Sequence, residues 1–306
     1  MTSTTLGLDL GGTKIAAAVV SRGEILSRTQ LPTPRTGYEA VLGALETAAR
    51  ELLAEHPEVE RVGLGSPGPL DIAAGRVIFA PNIPGMEQAP VARDLSARLG
   101  LPVVLENDAN AAGYAEHLYG AAQALESSIY VTISTGIGGG VFVGERVIRG
   151  VHGVAGEVGH MTLLPGGPLC GCGQHGCWEA LAAGRAVARD ASHAYGFALT
   201  TAQVFDRARA GERLALRVVE NAAYYTGLAL ANLLKAFEPD GFVIGGGMAQ
   251  AGAFYLDKVQ AAADRFTEGF PSVKLFPAAL GTDAGVIGAA SVAAQQLSQS
   301  TPLAPL

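Results

Sequence analysis

The chain is short of three things: cysteine, clustered positive charge and long apolar runs. Only three of its 306 residues are cysteines, and 21 Lys and Arg face 28 Asp and Glu. The formal net charge of −7 comes with no block of Lys or Arg, which argues against a nucleic-acid or anionic-membrane partner. No apolar stretch is long enough to span a bilayer. Met1–Leu6 lacks the basic flank and apolar run of an export signal, so a cytoplasmic setting with reduced thiols is expected. There is no Walker A loop either, because Gly12 is followed by Thr13 before Lys14. What is plentiful is core material. An apolar fraction of 49% in a chain of this length suggests about two domains.

The few cysteines are not scattered. Cys170, Cys172 and Cys177 share one eight-residue window, with His160 ten positions upstream of the first. Three thiolates and one imidazole close the tetrahedral shell of Zn²⁺, which makes such a site structural. The intervening glycines let the backbone fold tightly enough to aim three sulfurs at one point. An odd cysteine count suits a disulfide scheme poorly, and Cys170 and Cys172 are too close to bridge without strain. His175 and the more distant His152 are rivals for the fourth position. Glu157 and Glu179 flank the cluster.

A strand–glycine turn–strand unit occurs twice. Leu6–Lys14 runs into Ile15–Val20, and Ile129–Ser134 passes through Thr135–Gly140 into Val141–Val143. Each continues into an extended segment, Glu24–Thr29 and Arg146–Arg149. Such runs read as antiparallel hairpins, and their repetition suggests two similar α/β domains. The spacing predicts helices over Tyr38–His56, Val91–Leu99, Ala109–Leu118, Glu179–Ala194, Leu214–Phe237 and Gly285–Leu297. Strands are expected over Arg61–Gly65, Pro102–Leu105 and Gly241–Ile244, with a Gly/Pro-rich loop from Ser66 to Gly85. The expected domains are 1–119 and 120–284, the second carrying the cysteine loop, with a C-terminal helix (about 285–306) packing back on the first.

The two glycine turns are natural phosphate sites, since bare backbone N–H groups can approach phosphate oxygens and Thr13 and Thr135 add hydroxyls. Asp9 beside the first suits Mg²⁺, which prefers few carboxylates plus phosphate oxygens. Gly63–Gly68 formally matches a dinucleotide fingerprint, but Pro67 and Pro69 obstruct the helix that should open there. Glu106-Asn107-Asp108 lies where a parallel strand should end and a helix begin, the edge at which open α/β sheets bind ligands. Asn107 or Asp108 could serve as a helix N-cap. A carboxylate here could equally accept the proton of an attacking hydroxyl.

Taken together, Asp9–Lys14, Thr135–Gly140, Gly245-Gly-Gly-Met248 and Glu157-Val-Gly-His160 followed by Cys170-x-Cys172-x₄-Cys177-Trp-Glu179 resemble the ROK family of bacterial sugar kinases and repressors. The resemblance covers essentially the whole chain. It implies a two-domain α/β fold of the actin-like ATPase (ribonuclease H-like) type with an interdomain cleft. ATP, Mg²⁺ and a structural Zn²⁺ come with it. It places Asp9, Gly11, Gly12, Thr13, Lys14, Thr135, Gly136, Gly138, Gly246 and Gly247 at the nucleotide. It makes Asp108 the general base, and gives the sugar to Asn82, Asn107, Glu157, His160 and Glu179 with Gly68 lining the pocket. Zinc falls to His160, Cys170, Cys172 and Cys177. Met86 stands where family members often carry Trp. No helix-turn-helix precedes Asp9, so the kinase branch is expected, acting on the 6-hydroxyl of glucose and most similar to bacterial glucokinases. N-acetylmannosamine, N-acetylglucosamine or fructose kinases share nearly all these residues, and a non-catalytic sugar sensor is a further alternative. A homodimer is expected by resemblance.

Overall fold

The computed structural model describes residues 4–80, 82–144, 146–151 and 153–299. It divides into two compact units. The first contains residues up to Gln123, Val147–Ala155 and everything from Leu280 onward; the second contains Ala124–Arg146 and Gly156–Ala279.

In the first unit the chain runs β1 (Thr5–Leu10), β2 (Lys14–Ser21), β3 (Glu24–Pro32), α1 (Tyr38–Glu55) and β4 (Val62–Ser66). A small sheet follows, β5 (Leu70–Asp71), β6 (Arg76–Phe79) and β7 (Glu87–Ala89), where the sequence suggested only a loop. Then come α2 (Val91–Leu99), β8 (Val103–Asn107) and α3 (Asp108–Tyr119). Strand β4 leads into β5 and not into a helix, as the two prolines require. The main sheet is ordered β3-β2-β1-β4-β8, with β1 antiparallel to β2 and parallel to β4, and β4 parallel to β8. Helix α1 buries Val41, Leu42, Leu45, Ala48, Ala49 and Leu52, the one-sided stripe that a 3.6-residue period creates. Met86 is buried in the same core and is not a wall residue of any pocket described below.

The second unit repeats the plan with β9 (Ser127–Ile133), β10 (Ile137–Val143), β11 (Arg146–Val147, at whose second residue the chain passes to the first unit), α4 (Trp178–Ala182), α5 (Gly184–Tyr195), α6 (Thr201–Arg209), α7 (Arg213–Phe237), β12 (Gly241–Gly245), α8 (Ala253–Phe266) and β13 (Leu275–Pro277). Its sheet order is β11-β10-β9-β12-β13, again with an antiparallel hairpin beside parallel strands. The single helix expected over Glu179–Ala194 is two. The break at Ala183 lets the Gly184 N–H donate to the Ser134 carbonyl at 2.7 Å, and a Cβ at Gly184 would crowd that oxygen.

The last helix, α9 (Ala284–Gln299), returns to the first unit and lies directly on β1 and β4. Strand alternation explains how. Leu6, Leu8 and Leu10 enter the core on one face, while Thr5, Gly7 and Asp9 meet α9 on the other. Thr5 Oγ1 donates to the Ala290 carbonyl at 2.8 Å. A Cβ on Gly7 would strike the Val286 carbonyl, and one on Gly63 would strike that of Ala289. Gly63→Ala should therefore destabilise the protein by about 3 kcal/mol, toward the upper end of overpacking costs. A denaturant midpoint unchanged from wild type would show that α9 lifts off without penalty.

The unit boundaries differ from those expected at three places, residues 120–123, 147–155 and 280–284, all of which fall in the first unit. Residues 147–155, assigned from sequence to the second half, belong to the first unit because Arg149 Nε donates to the buried Glu106 carboxylate at 2.6 Å and Gly153 lies beside Ile72. Residues 280–284 move with α9 for the reason given above.

Candidate active site

The parallel strands of the first unit end together. Asp9 pairs across the sheet with Gly65, Gly65 with Glu106, and Ser66 with Asn107. This is the carboxyl edge where α/β sheets take ligands. Past Asp9 the chain turns tightly: the Gly11 N–H donates to the Lys14 carbonyl at 2.9 Å, and Thr33 Oγ1 donates to the Gly11 carbonyl at 2.6 Å. Gly12 faces Asn82, whose Cβ would lie 3.3 Å from an added methyl. Pro81, the start of the Pro-Asn-Ile-Pro-Gly loop, lies outside the described residues.

The alternatives left open at Asn107 and Asp108 are resolved in part. Asn107 is the N-cap of α3, its Oδ1 accepting from Ala109 N at 2.9 Å and Asn110 N at 3.1 Å. Asp108 occupies the first helical position, with Oδ1 accepting from Ala109 N at 2.8 Å. Gly68 brings its backbone beside Asn107, with a Cβ position 3.6 Å from Nδ2. Beneath them Glu106 is 1% exposed and fully bonded. It accepts from Asn107 N and Asn110 Nδ2 at 3.0 Å each, and from Arg149. That anchor fixes the start of α3, and sequence alone gave no role for it.

Electrostatics mark the same two carboxyls. Burial, then the charge of Asp108, push Asp9 up to about 6, with Lys14 pulling the other way. Burial also raises Asp108 against the opposing Ala109 N–H bond. Two acids crowded in this way favour a bound cation or a shared proton. Gly285, at the start of α9, has no side chain where one would press on Asp9 Oδ2, so α9 approaches that carboxylate directly.

In the second unit the turn Ser134–Gly138 is closed by Ser134 N donating to the Gly136 carbonyl at 2.9 Å. Its N–H groups are not all open to phosphate. Ile137 N donates to Glu179 Oε2 at 2.9 Å, and a Cβ at Gly136 would press on that carboxylate and displace it. Arg185 Nη2 donates to the other oxygen, Oε1, at 2.9 Å. Glu179 is thus held by the glycine turn and an arginine, an arrangement the sequence did not suggest. Gly246 adopts φ 84°, and a side chain there would strike the Ile133 backbone.

Beside this turn is a cavity of about 650 Å³. Thr135 and Gly247, both expected at the nucleotide, line it together with Gly184, Thr201, Phe205 and Met248. Helix α6 supplies much of the wall and was missed from sequence. Its signal was present: Thr200 and Gln203 form a reciprocal capping box.

The cysteine cluster is assembled. The ligand atoms of His160, Cys170, Cys172 and Cys177 all lie within 4.8 Å of one another. Cys172 and Cys177 sulfurs are 3.7 Å apart, and Cys170 Sγ is 3.6 Å from His160 Nδ1. A tetrahedron with Zn–S bonds of about 2.3 Å has edges of about 3.8 Å. The Cys172–Cys177 and Cys170–His160 separations match that edge, and the rest lie within 4.8 Å, so the donor set suits that ion with small shifts. Burial, then the neighbouring sulfurs, push the Cys177 thiol up to about 12, a cost that a cation would relieve. His175 is excluded from the cluster, since its Nδ1 faces the Gly167 carbonyl at 2.9 Å. His152 lies outside the described residues. With Nδ1 toward the sulfurs, His160 Nε2 is 3.9 Å from Glu157 Oε2. Trp178 locks the helix after Cys177: it is fully buried and Nε1 donates to Thr226 Oγ1 at 3.3 Å.

Comparison with known proteins agrees with this architecture. The model of the ROK family matches residues 5–296. The crystal structure of a ROK hexokinase from Thermus thermophilus is 49% identical, covering 97% of this chain and 100% of its own, with a TM-score of 0.92. A ROK family glucokinase from Streptomyces griseus, solved with glucose and AMPPNP, is 38% identical over 96% of this chain and 100% of its own, with a TM-score of 0.82. An N-acetylmannosamine kinase of Haemophilus influenzae is 34% identical, with 93% of each chain covered.

Proposed function

The chain belongs to the ROK family, and from that premise we propose that it is an ATP-dependent kinase acting on the 6-hydroxyl of glucose. The observation that carries this reading is Asp108. It sits at a sheet's carboxyl edge with the capping bonds of α3 taken by Asn107, and burial raises its proton affinity. Phosphoryl transfer depends on positioning and charge neutralisation more than on covalent help. Asp108 accepts the proton as the sugar hydroxyl attacks the γ-phosphate. Asp9 suits the Mg²⁺ of the nucleotide, directly or through water. Phosphates lie against Gly11–Lys14 and Thr135–Gly138, and the nucleoside against Gly246 and Gly247. Asn82, Asn107, Glu157, His160 and Glu179 bond the sugar hydroxyls, with Gly68 at the wall.

His160, Cys170, Cys172 and Cys177 would hold Zn²⁺, whose contribution is to fix the tautomer and aim of the His160 imidazole. His160 then presents Nε2 to a hydroxyl while Nδ1 stays on the cluster. A cytoplasmic setting suits these reduced thiols. Family resemblance also supports a homodimer.

The test is ATP turnover with a sugar panel. Glucose should give the highest kcat/KM among glucose, mannose, fructose, N-acetylglucosamine and N-acetylmannosamine, in keeping with the segment Ala80–Gly85 and its likeness to glucokinases. A clear win for an N-acetylated sugar would keep the chemistry and change the substrate. No turnover with any sugar, despite tight sugar binding, would favour a non-catalytic sensor.

A further inference from the structure

The second glycine turn already holds an anion. Glu179 Oε2 takes the Ile137 N–H, and the missing side chain of Gly136 makes room for the carboxylate. A nucleotide entering with its phosphates against this turn would meet that negative charge at close range, which is strongly unfavourable in a partly desolvated site. Something must cancel it. The cavity beside the turn is lined by two cations, Arg185 and Arg209. Arg209 is committed elsewhere: its guanidinium lies 5.5 Å from the Phe254 ring centroid, 6.0 Å from that of Phe205, and 3.4 Å from Asp206. Arg185 is on the turn side. Its backbone N–H approaches the Thr135 carbonyl at 3.4 Å, and Nη2 bonds Glu179 Oε1 at 2.9 Å.

We propose that Arg185 is the phosphate-binding cation of the second unit, held in place by Glu179 and turned toward the cavity. The inference rests on the reading of that cavity as a nucleotide site. A guanidinium carries five N–H donors in a fixed fork, so one bond to Glu179 leaves others for phosphate oxygens. Its side chain is 60% exposed, so those donors are accessible, whereas Glu179 is only 13% exposed and serves as the rigid partner. The pair thus converts a repulsive carboxylate into the anchor of an attractive cation. Lysine would supply charge but not the fork.

The experiment measures equilibrium binding of ADP and of adenosine by calorimetry on the intact protein, comparing wild type with Arg185→Gln and Arg185→Lys. Arg185→Gln should weaken ADP by roughly tenfold to a hundredfold, the scale of a lost charge-assisted hydrogen bond. Adenosine should change by less than about twofold, and Arg185→Lys should recover part of the ADP affinity. Equal losses for adenosine and ADP would make Arg185 a wall of the nucleoside pocket and overturn the proposal. Unchanged ADP binding in Arg185→Gln would overturn it too. A wild type that binds neither ligand would instead remove the nucleotide reading beneath it. Thermal melting of both variants guards against misfolding, and the exposed position of Arg185 makes a folded variant the expected case.

Discussion

Asp108→Asn should lower kcat by about 10²-fold or more while leaving sugar affinity within a few-fold of wild type. The substitution keeps size, and an amide oxygen still accepts hydrogen bonds from the Ala109 N–H and from a sugar hydroxyl. It removes only the ability to take a proton. Because Asn107 and not Asp108 caps α3, the helix start should survive the change. Single-turnover phosphorylation, equilibrium sugar binding and thermal melting on one preparation separate the possibilities. A stable, sugar-binding variant with wild-type turnover would refute the assignment. The pH profile offers a second readout. Asp108 must be ionised to act, and its proton affinity is raised by burial, so wild-type kcat/KM should fall on the acid side at a pH above the ordinary aspartate range.

Cys172→Ser should abolish metal binding and, with it, most sugar affinity, while ADP binding is largely retained. Wild-type protein should contain about one zinc per chain, measured by atomic emission. Losing one thiolate opens the shell, frees the His160 ring to rotate and relaxes the Cys170–Cys177 loop, while the fully buried Trp178 keeps the start of α4, and with it Glu179, in place. The cavity wall contributed by α6 and Gly247 does not depend on that loop for its ligating groups. Metal-free wild type with full activity, or three reactive thiols in native protein, would sink the idea.

Much of this was legible in the residues. The two glycine-turn hairpins, the cysteine cluster and the edge at Glu106–Asp108 rest on local patterns, and local patterns survive folding. What escaped was set by tertiary contact. Nothing in Glu179 itself reveals that it bonds Ile137 and Arg185, because those partners meet only when α4 and α5 break at Ala183. Glu106 reads like any polar residue after a strand, and its value depends on Arg149, 43 positions away. Asn107 and Asp108 are comparable caps on propensity, so backbone geometry had to choose between them. Helix α6 was missed despite its capping box, because its apolar residues are few and short-spaced.

The seating of α9 on Gly7 and Gly63 carries a consequence for biosynthesis. The strands of the first unit are all translated within its first 123 residues, yet the helix that covers one face of their sheet begins at Ala284. On the ribosome that sheet waits, with the Gly7–Gly63 face bare, while both stretches of the second unit, Ala124–Arg146 and Gly156–Ala279, emerge. The nascent first unit is therefore the aggregation-exposed species, in keeping with the cost of contacts that join distant parts of a chain. Residues near the far end of the chain thus decide when the sheet edge at Asp9 and Asp108 first becomes rigid.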